Sequence, residues 1–93
     1  MSYAVVNYVR LINPAIAADA TRNVVLPRLK ELSGYEHAIF LADENRQTGF
    51  SVMVFATKES AKDMADRLGS GQVPSPPGIA FERQEVWEVV ASG

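Results

Sequence analysis

Apolar residues recur along the chain with two different periods, and these periods predict four strands and two helices. Segments rich in valine, tyrosine and phenylalanine favour extended backbone and are typical of strands. Helical stripes, with apolar residues three and four positions apart, cover 14–32 and the segment that follows Thr57, a residue that can cap the second helix. The predicted order is therefore βαββαβ. The predicted strands are 3–12, 35–42, 50–56 and 79–90.

Capping and breaking residues lie between the predicted elements. Asn13 and Pro14 suit the start of a helix, because the asparagine side chain can cap it and proline lacks only an N–H that would be unpaired there. Pro27 predicts a kink, since it removes the hydrogen bond to the carbonyl of Asn23. Loops are expected over 43–49 and 69–78. This order is that of the ferredoxin-like split βαβ unit, an α+β fold with both helices on one face of an antiparallel sheet.

The two central strands of that topology carry apolar side chains on both faces. Two helices can cover only one face of a sheet, whereas an antiparallel sheet with a wet face should alternate apolar and polar residues. A bare apolar face of several hundred Å² is more than a monomer usually exposes. We therefore expect a homodimer through the open face, which completes a dimeric α/β barrel; the alternative is a monomer that presents this face to another partner. The residues concerned are Val6, Tyr8, Phe50, Val52 and Val54.

Composition narrows the classes of partner and site. The chain of 93 residues is expected to form one domain over 1–93, and its net charge of −2, with scattered Lys and Arg, argues against a nucleic-acid partner. It has no cysteine and one histidine, so no metal site is expected. The N-terminal segment lacks a signal-peptide pattern, and no apolar run approaches the roughly 20 residues that span a bilayer. A cytoplasmic location without a membrane partner is therefore expected.

Asn7 is the strongest candidate for a catalytic residue. A strand interior disfavours asparagine, and a buried amide needs hydrogen-bond partners. The amide could orient a phenol, a quinone or O₂, or it could simply be bonded to protein or water. Ser51 and Phe55 share a face of the third strand and are candidates for substrate contact. The alternatives are that Ser51 bonds Asn7 or is a satisfied small residue, and that Phe55 belongs to the core.

Three further residues are candidates for substrate binding. Trp87 and Arg83 lie four residues apart on the fourth strand, so alternation places them on the same face. Together they could bind an aromatic anion through stacking and charge. In the alternative interpretation, Trp87 is buried in the dimer interface and Arg83 forms an ion pair with Glu82 or Glu85. His37, which by strict alternation shares a face with Tyr35, could act as a base, but a lone histidine on an edge strand is more often a surface or interface residue.

Over nearly its whole length the chain resembles the antibiotic biosynthesis monooxygenase-like domains of the dimeric α/β-barrel superfamily, and two segments carry the resemblance. Residues 26–36 (LPRLKELSGYE) end a helix with glycine and an aromatic before a strand, and residues 51–61 (SVMVFATKESA) end a strand with an aromatic before a capped helix. The resemblance implies a site between helices and sheet. The family's usual tryptophan falls on Phe55, the asparagine of the haem-degrading branch falls on Asn7, and the histidine of that branch has no counterpart.

The resemblance implies two alternative functions. Relatives include monooxygenases that oxidise polycyclic phenols or quinols without a cofactor, and members without known activity. The first prediction is a cofactor-independent monooxygenase that acts on a small aromatic substrate of the phenol or quinol type. The alternative is a non-catalytic homodimer that binds a small ligand or a protein partner.

Overall fold

The computed structural model describes all residues from Met1 to Gly93 and contains a four-stranded antiparallel sheet in the order β2-β3-β1-β4. The element order along the chain confirms the predicted ferredoxin-like α+β arrangement. The strands are β1 (Tyr3–Leu11), β2 (Tyr35–Ala42), β3 (Thr48–Phe55) and β4 (Ile79–Glu88). The helices are α1 (Pro14–Ala20), α2 (Leu26–Leu29) and α3 (Lys58–Ser70), and a π-helical segment, Thr21–Val25, joins α1 to α2.

The first helical region departs from a regular α-helix just before Pro27. The N–H of Leu26 donates to the carbonyl of Thr21, one residue further back than in an α-helix. The wider turn lies where proline would otherwise collide with the preceding turn of backbone. The predicted kink is therefore a π-helical turn upstream of the proline. The helix also ends at Leu29 and not at Leu32, as the sequence pattern predicted.

Both predicted N-caps form. The Oδ1 atom of Asn13 accepts a hydrogen bond from the N–H of Ile16 (3.2 Å), and Oγ1 of Thr57 accepts one from the N–H of Ser60 (3.1 Å). Helix α3 continues to Ser70, into the segment predicted as loop, and ends where Gly71 adopts φ of 81°. The predicted ends of the strands differ by one or two residues from those observed, with β1 ending at Leu11, β3 covering 48–55 and β4 ending at Glu88.

The strand register contains two irregularities that strict alternation did not predict. In β2 the register shifts between Tyr35 and His37, and in the β1–β4 pair it shifts where Tyr8 is opposite Arg83 but Val9 is opposite Phe81. An extra residue in a strand moves every later side chain to the other face. The expectation that His37 shares a face with Tyr35 is therefore wrong, because the register shift separates them.

The core lies between the sheet and the helices. One cluster of seven buried side chains joins β1 and β3 to the two helical regions. Phe55 and Val5 are fully buried at its centre. The face of the sheet that packs against the helices is called the inner face below, and the opposite face is called the open face. The cluster consists of Val5, Leu29, Met53, Phe55, Ala61, Met64 and Leu68.

Candidate functional site

A row of polar side chains crosses the inner face where apolar residues would be expected. Asn7 is opposite Ser51 of β3 on one side and Gln84 of β4 on the other. Asn7 and Ser51 are the two buried polar residues of the chain, at 2% and 4% exposure. These three residues, called the polar row below, interrupt the apolar layer of the inner face next to Val5 and Met53.

One hydrogen bond orients two amides of the polar row. The Nε2 atom of Gln84 donates to Oδ1 of Asn7 at 2.8 Å. This uses the acceptor of Asn7 and a donor of Gln84, and leaves the amide nitrogen of Asn7 and the amide oxygen of Gln84 without a partner in the chain. The row therefore keeps a donor at Asn7 and an acceptor at Gln84 for another molecule.

Ser51 contributes an unpaired hydroxyl to the row. Its Oγ atom is the one buried side-chain polar atom without a hydrogen-bond partner. The predicted bond between Ser51 and Asn7 does not form, because Oγ of Ser51 has no hydrogen-bond partner. An unpaired buried hydroxyl costs about 1–3 kcal/mol, so such groups in a native protein call for an explanation.

A groove of about 660 Å³ lies between the end of α3 and β4, and Gln84 forms part of its wall. We call it the α3–β4 groove. It also takes in part of the loop that follows α3, and Glu82 is the charged residue among those that line it. Gln84 thus belongs both to the groove and to the polar row. The remaining lining residues are Leu68, Gly69, Ser70, Gly71, Val73, Pro74, Ser75, Ala80 and Phe81.

The approach of Gln84 to α3 depends on a glycine. A Cβ atom placed on Gly69 would lie 3.1 Å from Oε1 of Gln84, which is closer than most such contacts. The Oε1 atom is therefore held over the backbone of α3, on the side of the groove. Glycine is unfavourable inside a helix, and its presence in the last turn of α3 is accounted for by this close approach.

Phe55 lies away from the polar row, at the other end of the inner face. It is 1% exposed, and its ring meets that of Tyr35 edge to face, with 6.2 Å between the centroids. It borders a smaller cavity of about 170 Å³ that also includes Met64 and Arg67. The structure therefore places Phe55 in the core, in agreement with the alternative interpretation of this residue.

Arg83 and Trp87 lie on the open face. Their partners in β1, Tyr8 and Ala4, alternate with the buried Val5 and Asn7. Arg83 lies 4.1 Å from the centroid of the Tyr8 ring. These two side chains are thus separated by the sheet from Asn7.

Glu85 is the centre of a polar cluster on the open face. Its carboxylate accepts hydrogen bonds from the Tyr8 hydroxyl (3.1 Å) and the Trp87 indole (3.2 Å), and lies 3.7 Å from Nε of Arg83. The Tyr8 side chain and, after it, the Glu85 carboxylate raise the pKa of Arg83 above its ordinary value. The predicted alternative partner of Arg83 on its own strand is therefore Glu85 and not Glu82.

His37 also lies on the open face, where it is exposed. Its partner in β3 is Val54, and the next residues on that side of β2 are Ile39 and Leu41. On the inner face the structure brings together two of the six predicted site residues, Asn7 and Ser51, and adds Gln84, which the sequence pattern did not single out. Arg83 and Trp87 instead meet around Glu85 on the open face. In the sequence, Gln84 lies two residues before the apolar Val86 and could have been assigned to the same face of the strand. The irregular register of β4 obscured this assignment.

Two general features complete the description of the surface. No three His, Asp or Glu side chains lie close enough together to hold a metal ion. None of the helices has both the length and the apolar character that crossing a membrane requires.

Solved structures share this fold at low sequence identity. SnoaB, a cofactor-independent oxygenase from Streptomyces nogalater, superposes with a TM-score of 0.72 at 9% identity and covers 98% of this chain and 95% of its own. A monooxygenase from the gene ActVA-Orf6 of Streptomyces coelicolor, in complex with Nanaomycin D, has a TM-score of 0.61 at 13% identity and coverages of 99% and 88%. The chain therefore has the same fold as these two oxygenases.

This monooxygenase-like fold also occurs in a haem-degrading protein from Mycobacterium tuberculosis, with a TM-score of 0.53, 16% identity and coverages of 100% and 99%. No family model matches the sequence, and no curated protein matches it. The likeness therefore concerns the fold, which hosts several activities, and function has to be argued from the side chains.

Proposed function

We propose that the protein is a cofactor-independent monooxygenase whose substrate is a small, flat aromatic of the phenol or quinol type. The observation that carries the proposal is the polar row beside an open groove. Ser51, Asn7 and Gln84 each keep one hydrogen-bonding group unpaired in an apolar layer. The buried, unpaired hydroxyl of Ser51 is costly for folding, and a site for a polar ligand accounts for it.

The proposed reaction uses the electrons of the substrate. A phenol whose keto tautomer carries a ring methylene can lose a proton to give a carbanion that reduces O₂. One oxygen atom becomes a carbonyl at the former methylene, and the other leaves as water with the two hydrogen atoms. The chain would contribute orientation, exclusion of water and hydrogen bonds to developing negative charge. Asn7 would supply the N–H and Ser51 the O–H for that purpose.

The neighbours in fold support this class of reaction. SnoaB is described as a cofactor-independent oxygenase, and the Streptomyces coelicolor protein as a monooxygenase in complex with Nanaomycin D. The volume of the α3–β4 groove, about 660 Å³, lies within the range for a small-molecule pocket. Its apolar residues, among them Leu68 and Phe81, suit an aromatic ring.

Haem does not fit this site. The only histidine, His37, is in β2 on the open face, and the sheet separates it from the α3–β4 groove. Met64 is buried in the core cluster and offers no exposed ligand. We therefore expect that titration of the protein with haem gives no shift of the Soret band.

Oxygen consumption with anthrones and quinols tests the proposal. The purified protein should consume one O₂ for each carbonyl formed, with the product identified by mass. Replacing Asn7 by leucine keeps the branched shape of the side chain and removes the amide, and kcat should fall about a hundredfold, as on loss of one preorganised donor. Asn45→Leu, at an exposed loop position, is the matched control. A rate no higher than in buffer, with Asn7→Leu equal to the wild type, would contradict the proposal.

Ligand binding without chemistry is the second candidate. The observation that favours it is the composition of the polar row, because two amides and a hydroxyl do not act as a base at neutral pH. In that case the same aromatic compounds should bind in the groove, and Asn7→Leu should weaken binding, without consumption of O₂. Calorimetric titration under air, combined with an oxygen electrode, separates the two candidates.

We further propose that the protein is a homodimer through the open face. Large apolar side chains there are exposed, among them Ile39 (45%), Leu41 (47%), Phe50 (40%) and Trp87 (57%). Fully burying each one is worth about 1.5–3 kcal/mol. A second copy, related by a twofold axis, would cover the same residues on both chains.

The dimer is tested at the centre of the open face. Val52 lies between Val6 and Ile39, so Val52→Glu would place a charge in the proposed interface. Light scattering should give twice the chain mass of 10.2 kDa for the wild type and 10.2 kDa for the variant. Val90→Glu, at a residue that is 89% exposed beyond β4, should remain dimeric. A wild type of monomeric mass would contradict the proposal.

A further inference from the structure

Gln84 meets the α3–β4 groove with a fixed amide orientation. Its Nε2 atom donates to Oδ1 of Asn7. Asn7 is buried, and its side chain cannot turn away without losing its only side-chain hydrogen bond. The Oε1 atom of Gln84 must therefore point away from Asn7. A primary amide held in this way turns its carbonyl oxygen, which is an acceptor, toward the last turn of α3 beside the groove.

A second contact restricts Gln84 from the side of α3. The absence of a side chain at Gly69 lets Oε1 lie where a Cβ atom would be only 3.1 Å away. The oxygen is thus held between the polar row and the last turn of the helix. An acceptor that is oriented before the ligand arrives loses little conformational entropy on binding.

The charge of the residues that line the groove favours a neutral ligand that donates a hydrogen bond. Among the lining residues Glu82 is charged, and no lysine or arginine is present. A carboxylate near the groove disfavours an anionic ligand, whereas an amide acceptor favours one that carries O–H. Among the lining residues, Leu68, Val73 and Phe81 are apolar and can contact an aromatic ring of that ligand.

We propose that Gln84 determines ligand specificity by accepting a hydrogen bond from the hydroxyl of a neutral phenol or quinol in the groove, so that the corresponding ethers and phenolates bind more weakly. This inference rests on the site of the proposed function, and it adds the protonation state and the recognised group of the ligand. Asn7 and Gly69 act on specificity as positioning residues, because they hold the amide of Gln84.

A matched pair of ligands tests the inference. The probes are 2-naphthol and 2-methoxynaphthalene, in which O–CH₃ replaces the O–H, and binding is measured by calorimetry in oxygen-free buffer at neutral pH, so that no oxidation can take place. The wild type should bind 2-naphthol about tenfold more tightly than the ether, which corresponds to about 1.4 kcal/mol. Affinity for 2-naphthol should fall as the pH is raised and the naphthol ionises.

Two variants remove the recognition in different ways. Gln84→Met keeps the length of the side chain without its amide, and should bring the ratio of the two affinities close to one. Gly69→Ala leaves Gln84 in place but displaces its oxygen, and should lower the ratio without unfolding α3, since alanine favours a helix. Gln72→Met, at an exposed position outside the groove, is the control and should keep the wild-type ratio.

The outcomes separate this inference from the proposed activity. A tenfold ratio that disappears in Gln84→Met supports the inference even when no O₂ is consumed. Equal affinities in the wild type, an unchanged ratio in both variants, or no binding of either probe up to its solubility limit overturns the inference, including when O₂ consumption with anthrones is observed.

Discussion

Replacing Ser51 by alanine should make the protein more stable and less active. The Oγ atom of Ser51 is buried, with the residue 4% exposed, and has no hydrogen-bond partner. Leaving a hydroxyl in this state costs about 1–3 kcal/mol, whereas the dispersion lost with one oxygen atom is about 0.1–0.2 kcal/mol for each atom pair. We therefore expect a gain of about 1 kcal/mol in the free energy of unfolding, equivalent to about 4–8 °C in Tm for a domain of this size.

Urea unfolding followed by circular dichroism measures this change. The midpoint should rise while the m-value stays the same, and all samples need one protein concentration because association would shift the midpoint. In the oxygen assay the same variant should lose rate, since the proposed hydroxyl donor is gone. Stability and activity would then change in opposite directions, as expected of a functional group that is unfavourable for folding.

Ser60→Ala is the control for the hydroxyl of Ser51. The Oγ atom of Ser60 accepts a hydrogen bond from the Thr57 hydroxyl (3.0 Å), so its loss should lower the free energy of unfolding by about 0.5–1 kcal/mol. A loss of more than about 1 kcal/mol in Ser51→Ala would refute the reasoning, because it would mean that Oγ of Ser51 is hydrogen-bonded in the folded protein.

Three further predictions concern stability. Phe55→Ala, at a fully buried core residue, should lower the free energy of unfolding by about 3–5 kcal/mol, and Phe55→Leu by less, as measured in urea. Thr57→Ala removes the cap of α3 and should cost about 1 kcal/mol in the same assay. The backbone N–H groups of Thr48 and Gln47 hold the pKa of Asp43 below its ordinary value of 3.8. Its stabilising contribution should therefore be complete above pH 3.8 and be lost as the pH falls through the lower folded-state pKa. Acid titration of unfolding should show a smaller loss over this range in Asp43→Asn than in the wild type.

Much of the fold could be predicted from local patterns. Asn13 and Thr57 mark the starts of the helical regions in the structure as in the sequence, because a capping side chain bonds backbone only three residues away. The ends of the elements were less accurate. Helix α3 continues through Gly69 and Ser70 and ends at the second glycine, Gly71, which is the one that adopts the left-handed conformation.

The inner part of the candidate site was predictable only in part. Asn7 and Ser51 were found because β1 and β3 pair without a register shift, so that alternation assigns their faces correctly. His37 and Arg83 could not be assigned in this way, because each lies on an edge strand with a shifted register. Gln84 was missed for the same reason.

The sequence by itself determined the order of the elements, the caps and the amphipathic pattern of the central strands, since these depend on neighbours a few residues apart. Tertiary structure alone decided which groups meet. The hydrogen bond between Gln84 and Asn7 joins residues 77 positions apart, and the place of Gln84 depends on the register shift in β4 and on the space above Gly69. Such contacts arise from the pairing of distant strands and the packing of a helix on them, which no local period encodes.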